Sequence, residues 1–244
     1  MSVEPGAIAG RLGTVLAEID RAARAAGRDP STVRLLAVSK LQSVEAIAAA
    51  AAAGQRDFGE NYAQELRDKS RELRTRLGPG QVRWHYIGPL QRNKVKYVVG
   101  VAALVHSVDG LSLLDEIARR AEAAGLVQPC LIEVNVGDEA QKSGCAPEEL
   151  PGLVDAFRAR PSVRLDGLMC IPPPPEDDDA EAVRPHFRKL AALRDEERAR
   201  TGLPLPELSM GMSADYPVAI AEGATIVRVG TAIFGAREAP STML

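Results

Sequence analysis

The sequence predicts an α/β fold: a single (β/α)8 barrel of the TIM type with an extra N-terminal helix. Short β-branched runs alternate with longer Ala- and Leu-rich stretches of helical spacing, which is the pattern of repeated βα units. Eight such runs can be counted in a chain of 244 residues, and one closed barrel of this kind takes about 250. Strict alternation implies parallel strands joined by right-handed crossovers. Closure is favoured over a doubly wound open sheet, which is the structural alternative. The whole chain, 1–244, is read as one domain, with the barrel over about 33–237 and a loose tail from Arg237 to Leu244.

In chain order, a helix from about Ala7 to Ala25 comes first. Strands are expected at Leu35 to Ser39, Arg56 to Gly59, Trp84 to Ile87, Ala103 to Ser107, Cys130 to Asn135, Leu165 to Cys170, Glu207 to Met210 and Thr225 to Val229. Each connecting segment has room for a helix: 43–54, 61–77, 92–100, 111–125, 147–160, 179–200 and 214–223. The one compositional break is IPPPPEDDDA, from Ile171 to Ala180. Its prolines forbid a helix, and Asp177 to Asp179 suit the positive end of the next one.

Hydrophobic residues form 45% of the chain and aromatics only 4%, so the core is expected to be mainly Ala, Val, Leu and Ile. A net charge of −3 without a long basic run gives no nucleic-acid footprint. No apolar run reaches the about 18 residues of a membrane span, and the N-terminus lacks the pattern of a signal peptide, so a cytoplasmic protein is expected. Cys130, Cys145 and Cys170 make no C-x-x-C pair, and His85, His106 and His186 lack i, i+4 spacing. Neither a disulfide framework nor a metal site is expected.

In such barrels, chemistry collects at the C-terminal ends of the strands. Lys40 directly follows LLAVS, where partial desolvation favours a neutral amine suited to forming an imine with a carbonyl. The bland alternative is a lysine that closes a strand and reaches solvent or a carboxylate. Met212, Ser213, Gly230 and Thr231 fall on the loops after strands seven and eight, the usual phosphate site of these barrels. Together with Lys40 they suggest a phosphorylated aldehyde. Arg228 interrupts the apolar strand TIVRVG, facing either outward toward an acid or inward toward a ligand nitrogen or anion.

These residues stand in motifs that run in order along most of the chain: AVSK at 37–40, FGENY at 58–62, WHYIGPLQRNK at 84–94, HSVD at 106–109, VNVGDEAQKSG at 134–144, GLMCIP at 167–172, LSMGMSADY at 208–216 and RVGTAIFGAR at 228–237. The chain thereby resembles the YggS/PROSC family of pyridoxal phosphate homeostasis proteins. The resemblance implies a barrel like the N-terminal domain of alanine racemase. It implies pyridoxal 5′-phosphate (PLP) as cofactor, with Lys40 as the Schiff-base lysine. Asn61 is implied beside the cofactor, Met212, Ser213, Gly230 and Thr231 around the phosphate, and Arg228 against the pyridine nitrogen. Cys170 departs from the usual alanine of its motif, and the loop at 172–179 is unusually rich in proline and acids.

An arginine at the ring nitrogen disfavours the protonation that makes PLP a strong electron sink, and no room is expected after the eighth strand for a second domain. The expectation is therefore a binding protein, not an enzyme, that stores, buffers or delivers PLP to apoenzymes, as a monomer. The alternatives are a small amino-acid racemase using His85, Tyr62 or Cys170 as second proton carrier, and a Schiff-base aldolase acting through Lys40.

Overall fold

In a computed structural model the chain forms a closed barrel of eight parallel strands in sequence order, the last pairing with the first. The structure describes residues 5–137, 143–173 and 179–235. Helix α1 (Pro5–Ala25) precedes β1 (Arg34–Val38). Then follow α2 (Val44–Ala52), β2 (Asp57–Glu60), α3 (Ala63–Leu77), β3 (Arg83–Tyr86), β4 (Leu104–Val108), α4 (Leu111–Ala123) and β5 (Gln128–Glu133). The chain continues through α5 (Leu150–Arg158), β6 (Val163–Met169), α6 (Arg184–Thr201), β7 (Glu207–Ser209), α7 (Tyr216–Ala221), β8 (Ile226–Val229) and α8 (Thr231–Phe234).

Every expected strand is present, with ends displaced by two residues at most. The helix expected over 92–100 is instead a 3₁₀ helix, Arg92–Tyr97. That segment must cover the barrel between β3 and β4 in few residues, and Val95 and Val98, both fully buried, hold it down. Another 3₁₀ turn, Ala180–Val183, precedes α6, and Asp179 caps it by accepting the Glu181 N–H at 2.9 Å. Asp177 and Asp178 lie outside the described residues, as do the tail from Arg237 and most of the proline-rich loop.

Strand alternation divides the apolar residues into two clusters. Leu36, Ile87, Leu104, Leu131, Met169 and Ile226, with Val38 beside them, fill the barrel interior. Their neighbours in sequence, such as Leu35, Ala37, Val105, Cys130, Ile132, Leu168, Val227 and Val229, belong to the larger cluster between barrel and helices. Helix α1 adds Ile8, Leu12, Val15, Ile19 and Ala23 to that outer layer and packs on α2, α7 and α8. Their helical spacing is one continuous stripe, and full burial of each larger side chain stabilises by roughly 1.5–3 kcal/mol.

Gly167 shows why the sheet needs a glycine in a strand interior. It lies where the β5–β6 register slips, at φ 154°, and a Cβ there would stand 1.9 Å from the Glu207 carbonyl oxygen. Any larger residue would push β6 and β7 apart.

Candidate functional site

The parity that builds the interior also selects what reaches the mouth. Leu36 and Val38 face inward on β1, so the next residue of the same parity is Lys40, half-buried just beyond the strand. It shares a small recess with Val38, Gln42, Gly230, Thr231 and Gly235. Strand β8 pairs with β1, which brings the loop after β8 against Lys40. Gly230 fits closely there: an added Cβ would lie 3.2 Å from the Val38 carbonyl oxygen, tighter than an ordinary contact.

The two expected phosphate loops meet. Thr231 Oγ1 donates to Ser213 Oγ at 3.3 Å, which joins the loop after β7 to the loop after β8. Met212 differs from expectation in one respect. Its N–H donates to Asp215 Oδ1 at 2.6 Å, so that amide serves its own turn in this arrangement.

Asn61, directly after β2, lies on the far side of Lys40 from these loops, since β2 is the other neighbour of β1. Its backbone oxygen accepts the Tyr86 hydroxyl at 3.0 Å, and Gly88 packs so close that a Cβ would come within 2.3 Å of that oxygen. The Asn61 Oδ1 is buried and has no hydrogen-bond partner. A buried amide oxygen left so costs free energy unless a ligand satisfies it.

Arg228 faces inward, not outward. It is 4% exposed, with Nη1 on Ser209 Oγ and Nη2 on the Cys170 carbonyl oxygen, both at 2.8 Å. From Ser209 a polar chain descends through the barrel. Ser209 Oγ and His106 Nδ1 are 2.9 Å apart, His106 Nε2 and His85 Nδ1 2.9 Å, and His85 Nε2 and Asp57 Oδ1 3.0 Å. Arg83 closes the far end with two bonds to Asp57, at 2.9 and 2.6 Å. Burial, with His85 and Arg228 nearby, holds His106 well below its ordinary imidazole range and therefore neutral. A single direction of donation satisfies every group along the chain: Arg228 donates to Ser209, Ser209 to His106, His106 to His85, and His85 to Asp57.

Two acids that the sequence reading did not single out, Glu133 and Asp215, lie near Arg228, and a third, Asp109, lies near Glu133. Glu133, at the end of β5 and 5% exposed, is pushed up to about 7 by burial and by Asp109, against the pull of Arg228. Burial also raises Asp109 and Asp215. Their signal in the sequence was position alone, at or just past strand ends. The three side chains considered as second proton carriers fare differently. His85 is locked inside the relay, the Cys170 thiol is fully buried and pushed up to about 12 by burial, and Tyr62 is 50% exposed ahead of α3.

Larger clefts lie elsewhere, including one of about 510 Å³ between α3 and Trp84. One of them reaches a C-terminal strand end, at Asp109 after β4, but none contains Lys40 or the loops after β7 and β8, so the mouth around Lys40 is the candidate site although its recess is small. Among the described residues no group of His, Cys, Asp or Glu has the arrangement of a metal centre, and no helix is long and apolar enough to cross a membrane.

Residues 11–238 match the alanine racemase N-terminal domain family. The pyridoxal phosphate homeostasis protein of Aquifex aeolicus is 46% identical over 228 residues, covering 93% of this chain and 97% of that protein. The protein so named in Pseudomonas aeruginosa is 47% identical over 231 residues, covering 95% of this chain and 96% of that one. Among solved structures, PipY of Synechococcus elongatus PCC7942 with PLP bound superimposes with a TM-score of 0.82 at 36% identity, covering 93% of this chain and 100% of that one.

Proposed function

The chain belongs to the pyridoxal phosphate homeostasis proteins of the alanine racemase N-terminal-domain family, and on that premise we propose that it binds PLP, as PipY does, and buffers or delivers the cofactor inside the cell. The observation that carries this reading is the recess in which Lys40 lies beside Gly230 and Thr231, an amine next to a glycine-bearing loop at the barrel mouth. Three further features fit the cofactor: the partnerless Asn61 Oδ1, the close fit of Gly230 against Val38, and the buried guanidinium of Arg228.

When bound, the cofactor supplies an aldehyde that an amine can capture. Lys40 would hold it through that aldehyde, the loops carrying Met212, Ser213, Gly230 and Thr231 would receive its phosphate, and Asn61 and Arg228 would serve its ring, Arg228 at the nitrogen. The relay from Asp57 keeps Arg228 oriented and its charge in place. A cationic donor at the ring nitrogen opposes protonation there, which suits retention of the cofactor better than carbanion chemistry. We therefore assign no turnover to the chain and make apoenzymes the recipients.

Incubation of the purified protein with PLP should give a yellow species whose borohydride reduction labels Lys40. PLP should then pass to an apoenzyme faster than it is released into free solution. Lys40→Ala should lose the covalent link while retaining weaker binding through the phosphate loops. A protein that PLP cannot convert to a coloured form, or that racemises free amino acids at an enzyme-like rate, would overturn this reading.

A further inference from the structure

We propose that Glu60, Glu65 and Lys69 form a buried ionic clamp that positions Lys40 by pinning the peptide groups on both sides of it. The inference deepens the proposed function and rests on Lys40 being the carbonyl-binding amine.

The clamp lies behind the barrel wall. Ser39 and Glu60, both fully buried, have the parity opposite to Lys40 and Asn61, so they face the helix layer and not the mouth. Lys69 on α3 is 8% exposed, and its ammonium has three acceptors for three protons: Ser39 O at 2.9 Å, Glu60 Oε1 at 2.9 Å and Glu65 Oε2 at 2.7 Å. Ser39 Oγ also donates to Glu60 Oε1, at 2.6 Å. Glu65 Oε2 further accepts the Leu41 N–H at 3.0 Å. The carbonyl of Ser39 belongs to the peptide group before Lys40, and the N–H of Leu41 to the one after it. Both planes that set the direction of the Lys40 side chain are therefore tied to one ion cluster.

Two features indicate that this arrangement serves position more than stability. Leu41 is held at φ 62°, in the left-handed region, although its side chain is 62% exposed and gains little from being there. Glu60 Oε2 is buried with no partner, and buried ion clusters are often no better for stability than apolar packing. The first cost falls on the residue that follows the proposed reacting amine and the second on the carboxylate bonded to the residue before it, as strain at functional sites commonly does.

The step served is capture of an aldehyde. The Lys40 Nζ lone pair forms a bond to the carbonyl carbon, and the carbonyl oxygen leaves with two protons as one water, giving the imine. Holding Nζ in place favours this step without altering how ring and phosphate are held.

The test compares PLP with pyridoxine 5′-phosphate, which has the same phosphate and ring but an alcohol in place of the aldehyde. Glu65→Ala, the least buried member of the clamp, should weaken PLP binding by about tenfold, the equivalent of the left-handed strain it offsets. It should also slow formation of the borohydride-trappable product. Pyridoxine 5′-phosphate binding should change by less than about twofold. Adding Leu41→Gly, which relieves the strained backbone, should recover most of the PLP affinity. Lys69→Met should act in the same sense, and circular dichroism would establish whether it folds. Equal losses for both ligands, or PLP affinity unchanged in Glu65→Ala, would overturn the clamp. A wild-type protein that forms no trappable imine would overturn the reading of Lys40 and the clamp with it.

Discussion

Arg228 is the residue on which site and core depend together. Its guanidinium satisfies Ser209 Oγ and the Cys170 carbonyl, and its charge acts on the buried Glu133 and Asp215. Replacement by Met would leave those acceptors unpaired and two acids without a counter-charge, so Arg228→Met should lose about 3 kcal/mol of stability even without cofactor. Urea denaturation of the apo form measures this; a loss under about 0.5 kcal/mol would mean that Arg228 acts only on the ligand. The sequence marked Arg228 because a charge stood inside an apolar strand. It did not reveal the partners, because Asp57, His85, His106 and Ser209 lie on four other strands and their convergence depends on barrel closure. The available signal was polar residues in otherwise apolar strands at the inward parity, a signal that β2, β3, β4 and β7 carry as well as β8.

At the scale of elements, α1 does more than cover the outer layer. Arg11 Nε donates to the Ile233 carbonyl at 2.6 Å, and the Tyr216 hydroxyl donates to Glu18. Ile233 lies on α8, just beyond Gly230 and Thr231, and Tyr216 opens α7, just beyond Met212 and Ser213. One helix outside the βα repeat thus fastens both proposed phosphate loops. Arg11→Ala should cost about 1–2 kcal/mol of stability and should lower affinity for inorganic phosphate and PLP alike, whereas a change in PLP affinity alone would contradict an action through the loops. Titration of the variant with both ligands decides between them. The helix itself was legible from its apolar spacing and the strands from alternation, since both are local periodicities. The 3₁₀ form of Arg92–Tyr97 was not legible, because the span available to that connection is set by the barrel. Nor was the clamp: Glu65 and Lys69 have i, i+4 spacing that reads as a surface pair, and only burial under β1 and β2 makes them something else.

For the molecule as a whole, the buried titrating groups predict an unusual dependence of stability on pH. His106 is held neutral, well below its unfolded value of 6.5, so its contribution is present above pH 6.5 and is lost as pH falls below it. Glu133 has the opposite sign. Its carboxyl is raised from 4.5 to about 7, so its contribution is present in full below pH 4.5 and is lost as pH rises through about 7. Between these limits one folded-state proton is retained by Glu133 while one is refused by His106, and the two slopes oppose each other. Glu60, Asp109 and Asp215, also raised by burial, have the same sign as Glu133 and are common to wild type and variant. Glu133→Gln therefore isolates one group. Relative to wild type, the variant should gain about 3 kcal/mol between about pH 5 and about pH 8, measured as the difference in unfolding free energy by urea denaturation of the apo proteins. A difference that does not vary with pH would mean that Glu133 titrates in its ordinary range, and that the mouth opposite Lys40 is wetter than its 5% exposure implies.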